Sequence, residues 1–160
     1  MPLFSFFRPL CSAVAPFLLV LLCLLPSAQA LELTAQHYIV MDDTTGAVLM
    51  ARDADTPMYP ASMTKMMTAH LVFKALKEGR ITEDTTYRVS EKAWRMQGST
   101  MFVELGSEIR VGDLLRGIVI QSGNDACIVI AEGMAGTEDT FVELMNEEAK
   151  KLGMNGTHFT

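Results

Sequence analysis

The chain has 160 residues, 49% of them hydrophobic, with 13 basic and 19 acidic side chains and a net charge of −6. That length holds at most one modest domain, and an acidic balance without basic runs argues against nucleic acid as a partner. Two of the three cysteines, Cys11 and Cys23, fall near the N-terminus.

Residues 1–30 read as a secretory signal peptide. Met1 to Pro9 carries only Arg8 as a charge, Phe17 to Leu25 is an apolar run, and Ser27-Ala28-Gln29-Ala30 offers a small-x-small site for cleavage after Ala30. The run is shorter than the ~20 residues that a bilayer span needs. Lipid attachment at Cys23 is disfavoured by the bulky Leu22 before it. Cleavage removes Arg8 and no acid, so the net charge moves from −6 to −7. It also leaves Cys127 alone, which permits no internal disulfide.

Tyr38-Ile39-Val40-Met41 and Ala47-Val48-Leu49-Met50 flank Asp43-Thr44-Thr45-Gly46, a pattern that predicts a β-hairpin. Thr56-Pro57 and Tyr59-Pro60 hold the chain extended, because a residue before proline avoids helical backbone. A helix is expected from Ala61 or Ser62 to about Glu78, ended by Gly79. Met63, Met66, Met67, Leu71, Val72, Phe73 and Leu76 would form its wide buried face. Thr86 to Val89 is a short strand candidate, and Ser90 suits the N-cap of a brief helix through Trp94. Gln97-Gly98-Ser99-Thr100 reads as a loop. Val111 to Gln121 is helical, with Asp113 in its first turn, where an acid suits the helix dipole. Ser122-Gly123-Asn124 interrupts it, and Asp125 to Met134 is helical again. Thr137 caps a last helix that stops at Gly153. The whole is α+β: a hairpin followed by a mostly helical block.

Two constellations carry chemistry. Ser62-Met63-Thr64-Lys65 places a hydroxyl and an amine on one helical face. A serine hydroxyl is a poor nucleophile until a base takes its proton. The partial positive charge of a helix start disfavours an ammonium there, which suits a lysine to that task. Sixty residues later, Ser122-Gly123-Asn124 lies between two apolar helices. Alone, that tripeptide reads as a helix–helix turn with Asn124 capping the next helix. A buried turn with two polar side chains must find partners for them, however.

Together, Pro60-Ala61-Ser62-Met63-Thr64-Lys65-Met66-Met67-Thr68 and Gln121-Ser122-Gly123-Asn124-Asp125-Ala126 resemble the penicillin-binding, serine-type D-Ala-D-Ala carboxypeptidases. The likeness extends to the Asp42…Thr45-Gly46 hairpin, the Gly98-Ser99-Thr100-Met101-Phe102 loop and Leu152-Gly153-Met154, and covers residues 36–160. It implies a β-lactamase/transpeptidase-like fold and a hydrolase acting on peptidoglycan stem pentapeptides. Ser62 would attack the carbonyl between the two terminal D-alanines, Lys65 would take its proton, and an acyl-enzyme would form and be hydrolysed. Ser122 would relay a proton to the departing D-alanine, and Asn124 would bond Lys65 and the substrate amide. The Ser62 N–H would form half of an oxyanion hole. β-Lactams would acylate Ser62. The resemblance implies no metal and no organic cofactor.

The family's third motif, K-T-G or K-S-G, is absent from these residues. The expectation is therefore an N-terminal part of a catalytic domain over 31–160, without the closing sheet strands or the C-terminal membrane anchor of full-length relatives, and with little or no turnover by itself. A lone hairpin would leave an unpaired sheet edge and an uncovered central helix. A non-catalytic cell-wall binding product is the alternative. A β-lactamase would need a carboxylate-held water, and that group's S-D-N is here S-G-N. His37, His70 and His158 show no ligand spacing, Cys127 suits a small core position, and Asn155-Gly156-Thr157 matches a common glycosylation triplet.

Overall fold

The computed structural model describes residues 33–160; the signal-peptide reading of 1–30 lies outside them. They divide into a unit ending at Thr56 and a second unit, Pro57–Thr160. In the first, strand β1 (Tyr38–Met41) pairs antiparallel with β2 (Val48–Arg52). Asp42 closes the turn by accepting from the Thr45 backbone N–H at 2.7 Å and its hydroxyl at 2.6 Å. Those two bonds hold the Asp42 carboxyl below its usual pKa. A register shift beside Met41 leaves Leu49 as the extra residue of a bulge, and Ile39, Val40, Met41, Val48 and Leu49 are solvent-exposed.

The second unit is mostly helical. A short 3₁₀ turn (Ala61–Thr64) leads into α1 (Lys65–Lys77). After it come β3 (Thr86–Arg88), α2 (Glu91–Trp94), β4 (Glu108–Arg110), α3 (Val111–Gln121), α4 (Asn124–Ala135) and α5 (Glu138–Lys151). Strands β3 and β4 pair antiparallel, with Tyr87 opposite Ile109. This second small sheet was not expected, since Glu108-Ile109-Arg110 is too short and too charged to show an alternating pattern.

The caps follow the chemistry read from the chain. Ser90 and Thr137 each accept the N–H three residues on, at 3.1 Å. Gly79 ends α1 in left-handed backbone, φ 69°. Its N–H reaches Leu76 O at 3.1 Å and the Arg80 N–H reaches Ala75 O at 3.0 Å, a Schellman closure that satisfies carbonyls the helix leaves free.

The core gathers one face from each long helix. Val72 and Ala75 of α1, Val111, Leu114 and Ile118 of α3, Val129 and Ile130 of α4, and Phe141, Met145 and Ala149 of α5 are buried, with Val89 and Ala93. Full burial of such an aliphatic side chain is worth about 1.5–3 kcal/mol before entropy is counted. Close approach matters too: a Cβ on Gly133 of α4 would lie 2.1 Å from the Tyr87 ring, so glycine is what lets β3 dock there.

The breadth of the expected α1 face needs correction. Met67, Leu71 and Val72 are buried, whereas Met63, Met66 and Phe73 are exposed. Apolar residues surround this helix on more sides than its packed neighbours within the described residues cover. Nor is the helix regular from Ser62; the 3₁₀ turn precedes it, at 3.0 residues per turn.

Candidate active site

Three segments of the second unit are linked in series: the start of α1, the break between α3 and α4, and a loop tied to the start of α4. The first is the 3₁₀ turn with Ser62, which is exposed, leading to Lys65, which is half-buried. In such a turn, residues i and i+3 eclipse, so the two side chains fall on one line. Lys65 Nζ lies 3.4 Å from Ser62 Oγ.

The second segment is the break between α3 and α4. Ser122 ends α3 in left-handed backbone (φ 56°, ψ 39°), and Gly123, not Asn124, takes the N-cap position of α4. The break frees the Ser122 carbonyl, which accepts from Lys65 Nζ at 2.7 Å, and Ser122 Oγ accepts from the same nitrogen at 3.0 Å. The amine therefore sits between the two serine hydroxyls. As an ammonium it has three donors for three acceptors; as a free amine it can donate twice toward Ser122 and take the Ser62 proton on its lone pair. Among the described residues no carboxylate lies within ion-pair distance of it. The Ser62 backbone N–H also makes no hydrogen bond among them.

The third segment is the 97–103 loop, tied to the start of α4. Asn124 donates its side-chain amide to Gln97 O at 2.7 Å and its backbone N–H to Ser99 O at 2.7 Å. Among the described residues no hydrogen bond joins Asn124 to Lys65; the Asn124 side-chain NH2 is engaged with the loop. Asp125, 2% exposed, accepts the backbone N–H groups of Met101 and Val103. Gln97, Ser99 and Asp125 had no assigned role from sequence. For Asp125 the signal was there, as an acid directly ahead of the apolar run Ala126-Cys127-Ile128-Val129-Ile130.

Cys127 lies on α4 behind Lys65. Burial pushes its thiol up to about 11, against the opposing pull of Lys65, which keeps it a neutral packing group and no nucleophile. The His70 ring is engaged with Glu148 at 3.0 Å.

The sequence profile of the D-alanyl-D-alanine carboxypeptidases, peptidase S11, matches residues 25–160. The chain belongs to this family. It is 42% identical over 132 residues to D-alanyl-D-alanine carboxypeptidase DacA of Haemophilus influenzae, covering 81% of this chain and 34% of that protein. Among solved structures, D-alanyl-D-alanine carboxypeptidase DacD from Francisella tularensis superposes with a TM-score of 0.79 at 40% identity, over 82% of this chain and 32% of that one. Penicillin-binding protein D2 from Listeria monocytogenes, solved in its ampicillin-bound form, gives a TM-score of 0.72 at 29% identity, over 83% of this chain and 53% of that one. The chain thus spans about a third of the length of the curated relatives it matches. The α+β, transpeptidase-like fold that the resemblance implied is the fold these relatives share.

Proposed function

We propose that this chain supplies the nucleophile and its base to a serine-type D-Ala-D-Ala carboxypeptidase that trims the terminal D-alanine from peptidoglycan stem pentapeptides. The observation that carries the reading is the Lys65 nitrogen lodged between Ser62 Oγ, at 3.4 Å, and Ser122 Oγ, at 3.0 Å. Ser62 Oγ attacks the penultimate D-alanine carbonyl while Lys65 Nζ accepts the hydroxyl proton. The free Ser62 N–H is available to the oxyanion. As the tetrahedral intermediate collapses, the C–N bond breaks and the proton passes from Lys65 through Ser122 Oγ to the departing D-alanine nitrogen. Water then hydrolyses the ester on Ser62 and the proton inventory resets. Asn124 supports the site through the loop it holds and by offering its remaining amide capacity to the substrate.

Residues 1–30 serve as the export signal and 31–160 as the N-terminal part of the catalytic domain, placing the protein in the periplasm or on the outer face of the cytoplasmic membrane. No helix among the described residues is long and apolar enough to cross a membrane; association with it is peripheral, through an anchor of the full-length form. β-Lactams act as covalent inhibitors on Ser62.

The test is release of D-alanine from a peptide ending in D-Ala-D-Ala by the protein purified as its own cell makes it. Release that is abolished in Ser62→Ala is the expected result. Equal release by wild type and Ser62→Ala would overturn the proposal.

A further inference from the structure

The turn that receives the Lys65 amine is held from behind by a buried acid. Ser122 lies in left-handed backbone, φ 56°, and helix resumes only at Asn124. Such backbone is uncommon for a residue with a side chain and persists where the surroundings over-determine it. Toward α3, the Gly123 N–H closes on Gly117 O at 3.0 Å. Toward α4, the Asn124 N–H is fixed by Ser99 O and its side-chain amide by Gln97 O, both at 2.7 Å. The place of Ser122 therefore depends on the place of the 97–103 loop.

Asp125, 2% exposed, sets that loop. Its Oδ1 accepts the Ala126 N–H at 2.8 Å and the Met101 N–H at 3.0 Å; its Oδ2 accepts the Met101 N–H at 3.1 Å and the Val103 N–H at 3.2 Å. Backbone is thereby pinned on both sides of Phe102, a second left-handed position at φ 61°. The carboxylate also packs against the turn itself: a Cβ on Gly123 would lie 3.0 Å from Asp125 Oδ1 and 3.3 Å from Gly117 O. A buried carboxylate is costly unless its oxygens are bonded, and both oxygens here are spent on the loop and the start of α4.

We infer that Asp125 is a positioning residue for acyl transfer: by fixing the 97–103 loop against the Ser122-Gly123-Asn124 turn, it keeps Ser122 where Lys65 Nζ lies between the two serine hydroxyls. The inference rests on the reading of Ser62 as nucleophile and Lys65 as its base. Asp125 acts through Asn124 and Ser122 and not on the reacting atoms. Asparagine has the same shape but one acceptor oxygen and an NH2 group. Whichever way its amide turned, the NH2 would face the N–H of Val103 or of Ala126, so Asp125→Asn separates shape from acceptance.

The test measures the saturating rate and the half-saturating concentration for acylation by benzylpenicillin, on protein purified as its own cell makes it. Asp125→Asn should lower the saturating rate about a hundredfold, the scale of a misplacement near 1 Å. The half-saturating concentration should stay within about threefold, because the loss falls on the chemical step. Amide exchange at Met101 and Val103 should quicken. Gly98→Ala disturbs the same link from the exposed side without touching the core: Gly98 has φ 84°, and its added Cβ would lie 3.1 Å from Asn124 Nδ2. It should lower the saturating rate about tenfold, and it decides the matter if Asp125→Asn does not fold. Glu148→Ala, which loosens α1 from α5, controls for lost stability alone and should keep the wild-type rate. Wild-type saturating rates in either folded variant, a loss carried wholly by the half-saturating concentration, or an equal loss in Glu148→Ala would overturn the inference while leaving Ser62 as nucleophile. A wild type that takes no adduct on Ser62 would overturn both.

Discussion

Two of the three lysines of helix α1 lie in opposite surroundings. Lys65, at its start, faces two hydroxyls and a carbonyl. Lys74, toward its end, bonds Glu148 of α5 at 2.6 Å, and Glu148 also takes the His70 ring. The Glu148 side chain is only 8% exposed, so this group ties α1 to α5. A carboxylate on α5 is the partner of Lys74, whereas Lys65 donates to hydroxyl and carbonyl oxygens. The same residue type thus lies between two serine hydroxyls at one end of a helix and ties two helices together at the other.

The largest expected effect separates the two ends cleanly. Lys65→Met should lower the rate of β-lactam acylation about a thousandfold, the middle of the range for losing a general base. Its melting temperature should barely move. Glu148→Ala should do the reverse, costing about 2 kcal/mol by denaturant titration and leaving the acylation rate of the folded protein unchanged. The cost falls below that of a fully buried pair because Lys74 and His70 keep partial access to water.

Acid probes the same comparison more gently. The Lys74 bond first, and the His70 bond second, hold the Glu148 carboxyl below its ordinary pKa. A depressed folded value means that this stability is present above the ordinary carboxylate range and is lost as pH falls through the folded value. Melting temperatures followed from about pH 6 to pH 3 should show that loss, and Glu148→Gln should flatten that part of the curve. The smallest effect is at the α5 cap, distant from both lysines: Thr137→Ala should cost about 1 kcal/mol and alter neither acylation nor the acid response.

What could be read from the sequence was local. Caps at Ser90 and Thr137, the stops at Gly79 and Gly153, and the i, i+3 spacing of Ser62 and Lys65 each depend on a few adjacent residues, and each has its counterpart in the structure. What could not be read was long-range. Glu148 meets Lys74 across 74 positions and Asp125 meets Val103 across 22, and no periodicity encodes either meeting. Strand β4 escaped notice because three residues carry no alternation. The exposure of Met66 and Phe73 was hidden for a different reason: hydrophobicity says that a side can be buried, while packing against particular neighbours says that it is. The juxtaposition of Ser122 with Lys65 was accessible only through family resemblance, since their spacing alone admits any geometry.

Activation of Ser62 by Lys65 is the central proposal. The most direct measurement is peptide mapping by mass after brief exposure to benzylpenicillin, with wild type, Ser62→Ala, Lys65→Met and Lys74→Met side by side. Wild type and Lys74→Met should carry one adduct, on the peptide containing Ser62, and the other two should carry none. An adduct on Lys65→Met at the wild-type rate, or an adduct mapped to another residue, would contradict it.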